Sequence, residues 1–162
     1  MSPMLLVIGY GNSLRNDDSV GRRVAEAIAA LGLAEVQTLS CDLLTPELAD
    51  QLSRSKAVIF VDAAVDAPSD VLLRPLQAAQ SSQVMAHAAD PRTMLALARD
   101  VFGHVPQAWW LTIPVADLGI GEQLSTLAQA GMREAIQRIL RLYETVMTKL
   151  SLRGHSLINT AA

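Results

Sequence analysis

The chain carries a single cysteine, Cys41, in 162 residues. A lone thiol excludes an intramolecular disulfide and a cysteine-built zinc site within one chain, and it fits a reducing compartment. No block of Lys or Arg interrupts the sequence, and with a formal charge of -3 and a pI near 5.5 the chain lacks the broad electrostatic footprint of a nucleic-acid binder. No uncharged apolar run reaches the roughly 18 residues that a membrane-spanning helix needs. Met1, Ser2 and Pro3 lead straight into a short apolar stretch, without the basic region and small-residue cleavage site of a secretory signal. A soluble, cytoplasmic protein that engages neither nucleic acid nor membrane is therefore expected. Two catalytic signatures are missing as well. There is no Gly-Lys-Ser or Gly-Lys-Thr of a P-loop, and no Gly-x-Ser-x-Gly elbow of a serine hydrolase.

What is present is enough apolar material for one sizeable core, 51% of a chain of single-domain length. Met4 to Ile8 is a continuous apolar run followed by Gly9-Tyr10-Gly11-Asn12, the pattern of a buried strand ending in a tight loop. Val20, Val24, Ala27, Ile28 and Leu31 recur at helical spacing until Gly32. Glu35 to Leu39 reads as a strand. Thr45 and Pro46 read as the cap and first position of a helix to Leu52. Ala57 to Val61 is wholly apolar, as in a central strand of a parallel sheet, with Asp62 directly at its end. Val71 to Leu73 reads as a short edge strand flanked by Pro68 and Pro75, and 77–89 as a loop containing His87. Asp90 and Pro91 cap a helix to Phe102 that stops at Gly103, Ala108 to Ile113 is a strand, and Ser125 to about Thr148 is a long amphipathic helix.

Strands and helices alternate without repeats. This predicts an α/β protein, a three-layer α/β/α sandwich with a mostly parallel twisted sheet of about five strands. A single domain over residues 1–150 and a frayed tail over 151–162 are expected. The long C-terminal helix is expected to cover the sheet rather than pair with another subunit, giving a monomer. In such folds ligands sit at the carboxyl ends of the strands. The loop after the first strand, Asp62 and the loop of His87 can all gather there.

Three elements can carry chemistry, each with a plainer reading beside it. Asp17 and Asp18 stand where a helix begins, so they either cap it or line a site. Asp62 at a strand end either serves a site or satisfies loop amides. His87 in its loop is either a ligand or an exposed histidine, while His104 suits a helix C-terminus and His155 falls in the expected tail. Two carboxylates and an imidazole on three strand-end loops would make an open O,O,N site for a divalent transition metal such as nickel, cobalt or zinc. A dinucleotide fingerprint does not fit, because its third glycine would fall on Leu14 and two carboxylates beside the loop would repel a pyrophosphate. No cofactor-binding residue is singled out. Cys41 has no histidine near it in sequence to activate a thiol.

The segment Leu6-Val7-Ile8-Gly9-Tyr10-Gly11-Asn12-Ser13-Leu14-Arg15-Asn16-Asp17-Asp18-Ser19-Val20-Gly21 resembles the N-terminal signature of the nickel-iron hydrogenase maturation proteases. Leu44-Thr45-Pro46-Glu47-Leu48, Val61-Asp62-Ala63, His87 ahead of Pro91, and Gly121-Glu122-Gln123-Leu124-Ser125 extend the resemblance over roughly positions 4 to 140. The spacing of the helix after His87 is most similar to the branch serving NAD-reducing, bidirectional hydrogenases. The resemblance implies an aspartyl-type endopeptidase that removes the C-terminal extension of a nickel-loaded hydrogenase large-subunit precursor. It also implies that Asp18, Asp62 and His87 are both metal ligands and catalytic residues, acting on nickel that arrives with the precursor. Ser19 departs from the family, which usually has glycine there, and would be strained if that backbone needs a positive φ. Two other function classes remain as alternatives: a non-catalytic metal-binding chaperone or regulatory module for a metalloenzyme, and a different hydrolase such as an exopeptidase or amidase.

Overall fold

The computed structural model describes residues 3–65, 69–81 and 90–158, side chains excepted at 150 and 154–158. Strand β1 (Leu5–Tyr10) is buried along its whole length, and it has partners on both sides: β2 (Val36–Cys41) and β3 (Ala57–Ala64), both parallel. Beyond β3 lies β5 (Gln107–Pro114), again parallel, and the edge is closed by the antiparallel β4 (Leu72–Leu76). The sheet order is β2-β1-β3-β5-β4. The expected three-layer α/β architecture with a five-stranded, mostly parallel sheet is what the chain forms.

Alternation along the central strands assigns the two faces. Leu5 and Val7 of β1, with Ile59 and Val61 of β3, face α1 (Val20–Ala30) and α4 (Thr126–Ile158), meeting Val24, Ile28, Ala128 and Ile139. Leu6, Ile8 and Tyr10, with Val58 and Phe60, face α2 (Leu48–Arg54) and α3 (Pro91–Phe102), meeting Leu52, Met94 and Leu95. Each fully buried Leu, Ile or Phe contributes roughly 1.5–3 kcal/mol from its apolar surface. The all-apolar runs of β1 and β3 therefore belong in the middle of the sheet, where both faces are covered.

Hydrogen bonding carries several elements past their apolar runs. β1 continues to Tyr10 because Gly9 and Tyr10 pair with Ser40 and Cys41 of β2. β3 continues to Ala64 because Asp62, Ala63 and Ala64 pair with Thr112, Ile113 and Pro114. Asp62 therefore lies inside a strand rather than just after one. Pro75 lies within β4 rather than beside it, opposite Trp109, a position open to proline because β4 is an edge strand. Thr45 does not cap α2, whose first turn is instead approached through Leu48 N–H to the Thr45 carbonyl at 3.0 Å. The α3 boundaries are as expected: Asp90 accepts from Arg92 N at 2.8 Å, Pro91 opens the helix, and Gly103 closes it with φ 77°. Helix α4 starts one residue later than expected, at Thr126, and runs on to Ile158. Among the described residues no helix is long and apolar enough to cross a membrane.

The strand order reverses between β1 and β3: β2 lies on one side of β1, and β3 and β5 on the other. A crevice at the carboxyl ends of strands that part in this way is where open α/β sheets bind ligands. Helix α1 is drawn hard against that point. A Cβ on Gly21 would overlap the carbonyl oxygen of Val61, so only glycine lets the first turn of α1 rest on the strand backbone.

Candidate active site

Register and parity bring the first pair of functional groups together. Gly9 pairs with Val61, so Tyr10 and Asp62 are the next neighbours along β1 and β3, on the same face of the sheet. The Tyr10 hydroxyl donates to Asp62 Oδ2 at 3.0 Å. Burial pushes the Asp62 carboxyl up to about 6; the Tyr10 hydrogen bond and the Ala63 backbone pull it down, and the negative charge of Asp18 pushes it up again. The Tyr10 hydroxyl is held well above the ordinary tyrosine range, first by burial and then by the Asp62 carboxylate. Beside it, the Trp110 indole N–H is buried without a hydrogen bond of standard geometry among the described residues.

The loop from Gly11 supplies the second carboxylate. Gly11 has φ 145°, and a Cβ there would overlap the carbonyl oxygen of Asp18, so the chain can fold back on itself only through glycine. The fold-back places Asn12 N–H 2.7 Å from Asp18 Oδ2. A 3-10 turn at Asn16–Ser19 then leads into α1. Asp18 is half-buried, and its charge reaches Asp62. Two carboxylates thus share the strand-end crevice, on the loop after β1 and near the end of β3.

Asp17 has a different task. It is fully buried and accepts from Ala116 N–H and Asp117 N–H at 2.9 Å each, from Ser125 N–H at 2.7 Å and from the Ser125 hydroxyl at 2.6 Å. Burial acts to raise its pKa, but the bonds from Ser125, Ala116 and Asp117 outweigh this and hold the carboxyl below its usual range. Asn16 completes the connection, with φ 42°: its N–H donates to the Gly121 carbonyl at 2.9 Å, its Nδ2 to Asp117 at 3.0 Å, and its Oδ1 accepts from Gln123 N–H at 3.1 Å. The segments around Asp17 and around Gly121 to Ser125 are therefore two halves of one hydrogen-bonded unit. Spacing alone gave no sign of this long-range pairing, nor of the Tyr10 hydroxyl on Asp62.

Ser19 is not strained. Its φ of -77° and ψ of -5° are right-handed, and its hydroxyl donates to the Asn16 carbonyl at 2.8 Å and accepts from Arg23 at 3.2 Å. The left-handed residue of this turn is Asn16.

This fold is shared with solved hydrogenase maturation endopeptidases. The hydrogenase maturating endopeptidase HybD from E. coli superposes with a TM-score of 0.69 at 20% identity, covering 87% of this chain and 92% of that one. The hydrogenase 2 maturation peptidase from Thaumarchaeota archaeon SCGC_AB-539-E09 gives 0.65 at 20% identity over 86% and 97%. The [NiFe] hydrogenase maturation protease HybD from Thermococcus kodakarensis gives 0.64 at 20% identity over 85% and 97%. The sequence matches no family model and no curated relative. At this identity the likeness is one of fold.

The remaining candidates lie apart from the crevice or outside the described residues. His87 falls among the residues not described, as does the side chain of His155. Among the described residues no third histidine, cysteine or carboxylate completes a metal cluster with Asp18 and Asp62. His104 Nε2 lies 3.4 Å from the Ser55 carbonyl, at the opposite edge of the sheet, where β3 and β5 begin. Cys41 is half-buried at the end of β2, with Sγ 4.0 Å from the Gly9 carbonyl, and burial raises its pKa, which disfavours the nucleophilic thiolate.

Proposed function

We propose that this chain is an endopeptidase that removes the C-terminal extension of a nickel-loaded hydrogenase large-subunit precursor. The observation that carries the reading is the meeting of Asp18 and Asp62 at the strand-end crevice of a fold shared with hydrogenase maturation endopeptidases. Neither carboxylate is consumed by an ion pair among the described residues, and each accepts a hydrogen bond that holds one of its oxygens. Such a pair suits a hard or borderline divalent cation, for which an imidazole is a compatible further donor. His87 is the third ligand of this reading.

Nickel is part of the substrate in this mechanism. Held by the precursor's thiolates, it docks on Asp18, Asp62 and His87, so that recognition reports nickel loading. A water activated at the metal or by a carboxylate then adds to the scissile carbonyl, and its proton ends on the departing amine. The products are a new C-terminal carboxylate on the subunit and a free peptide. No serine or cysteine nucleophile is needed. Within this reading, the spacing of the helix after His87 favours a precursor of the NAD-reducing, bidirectional type.

Intact mass of a large-subunit precursor incubated with the protein, with and without nickel loading, tests the reading. A single C-terminal truncation confined to the loaded sample is expected, and it should disappear in Asp18→Asn and Asp62→Asn. Metal binding without any truncation would replace the endopeptidase by a metal-binding chaperone. Wild-type-like cleavage by both variants would remove these residues from the mechanism.

A further inference from the structure

Leu14, Leu43, Val65 and Ile120 are large aliphatic side chains left exposed to water. They sit on the loops that follow β1, β2, β3 and β5. These four strands run parallel, so all four loops leave the sheet at the edge that carries Asp18 and Asp62. Single exposed aliphatics are ordinary on a protein surface, whereas several gathered at one edge mark a surface that another molecule covers.

Two of them are joined directly. Gly121 N–H donates to the Leu14 carbonyl at 2.9 Å, and Arg15 and Gly121 form an isolated parallel bridge, so Leu14 and Ile120 flank the same backbone junction. Leu14 is 59% exposed and Ile120 94%. Polar bonds hold the junction: Asn16 N–H to the Gly121 carbonyl, Arg15 Nε to the Leu118 carbonyl at 3.1 Å, and Asn16 Nδ2 to Asp117. Neither Leu14 nor Ile120 packs against the buried core. A partner that covers the pair gains apolar burial and meets loops that are already ordered, which removes a usual cost of association.

Resting on the endopeptidase reading, we propose that Leu14 and Ile120 form a preordered apolar platform on which the protein substrate seats an apolar surface patch beside the bond to be cut. The occupant is a polypeptide because of where the platform lies. Asp18 N–H donates to the Arg15 carbonyl at 3.0 Å, so Leu14 and the Asp18 carboxylate belong to one loop, and Gly121 bonds the loop of Ile120 to it. A protein whose scissile bond reaches Asp18 and Asp62 covers that loop. A small substrate does not.

The test compares wild type, the double variant Leu14→Ser/Ile120→Ser and a control, Leu31→Ser, at an exposed aliphatic just past the end of α1. Calorimetric binding of the nickel-loaded precursor and its cleavage by intact mass are both read. The double variant is expected to bind about tenfold or more weakly, with a raised KM and an unchanged kcat, while keeping the wild-type melting temperature. The control should behave as wild type. Unaltered binding by the double variant, with wild type cleaving, would overturn the platform and leave the endopeptidase intact. Binding without cleavage, lost in the double variant, would keep the platform and overturn the endopeptidase. A wild type that neither binds nor cleaves overturns both. Self-association of wild type that the double variant abolishes, with precursor binding unchanged, would give the platform to a second copy instead.

Discussion

Asp17 and Asp18 are adjacent, chemically identical, and put to opposite uses. Asp17 is sealed inside the chain and accepts four hydrogen bonds from Ala116, Asp117 and Ser125. Asp18, one residue on, accepts one from Asn12 and faces the crevice that holds Asp62. A short turn rotates successive side chains in different directions, so neighbours in sequence can point one into the fold and one out of it. The comparison separates a carboxylate that holds the site's frame from one free to act in it.

The sharpest way to break this comparison is Asp17→Ala, which leaves three part-buried backbone donors and a hydroxyl without their acceptor. A loss on the order of 3–5 kcal/mol is expected in denaturant unfolding, with the 115–125 loop released from the start of α1. Because the folded Asp17 carboxyl is held below its usual range, its stabilisation should be present at neutral pH. It should fade only as acid protonates it in the fold, a trend that unfolding at stepped acidic pH can follow.

Asp62 should show the reverse sign. Its folded pKa of about 6 lies above an unfolded value near 4, so the ionised form destabilises the fold above about pH 6. That cost vanishes as pH falls toward about 4. Asp62→Asn, which can still accept from Tyr10, is therefore expected to be more stable than the parent by on the order of 2 kcal/mol near pH 8 and equal to it near pH 4. A constant difference across that range would refute the raised pKa.

Asp18→Asn sharpens the contrast from the other side. With one hydrogen bond from a neighbouring backbone N–H, it should change stability by less than about 1 kcal/mol while precursor cleavage is lost. A stability loss matching that of Asp17→Ala would erase the distinction between the two residues. The smallest effect is expected from Cys41→Ser, within about 0.5 kcal/mol and with cleavage retained, since among the described residues the thiol makes only a long contact to the Gly9 carbonyl.

Much of this was legible because it is local. The apolar runs of β1 and β3, the helical spacing of α1, and the Asp90-Pro91 cap with its closing Gly103 each depend on residues within a turn or two, and each appears nearly where the spacing placed it. Strand ends were less legible. Pairing with Cys41 and with Ala64's partner Pro114 extends β1 and β3 beyond their apolar residues, and such pairing is invisible in either strand alone. The serine at position 19 looked like a conformational risk, yet the positive φ of that turn falls on Asn16, whose amide bonds to Asp117 and Gln123 supply the compensation.

The sequence by itself determined the layered α/β plan, since alternating apolar periods of strand and helix can be buried in few other ways, and it pointed to Asp18 and Asp62 as candidates. Only the tertiary structure decided which acid of the pair is structural, that Tyr10 holds Asp62, and that the glycine-rich loop and the Gly121 to Ser125 segment form one unit. The reason is physical. Burial and hydrogen-bond partners are properties of a residue's surroundings, and those surroundings come from segments about a hundred positions away in the chain.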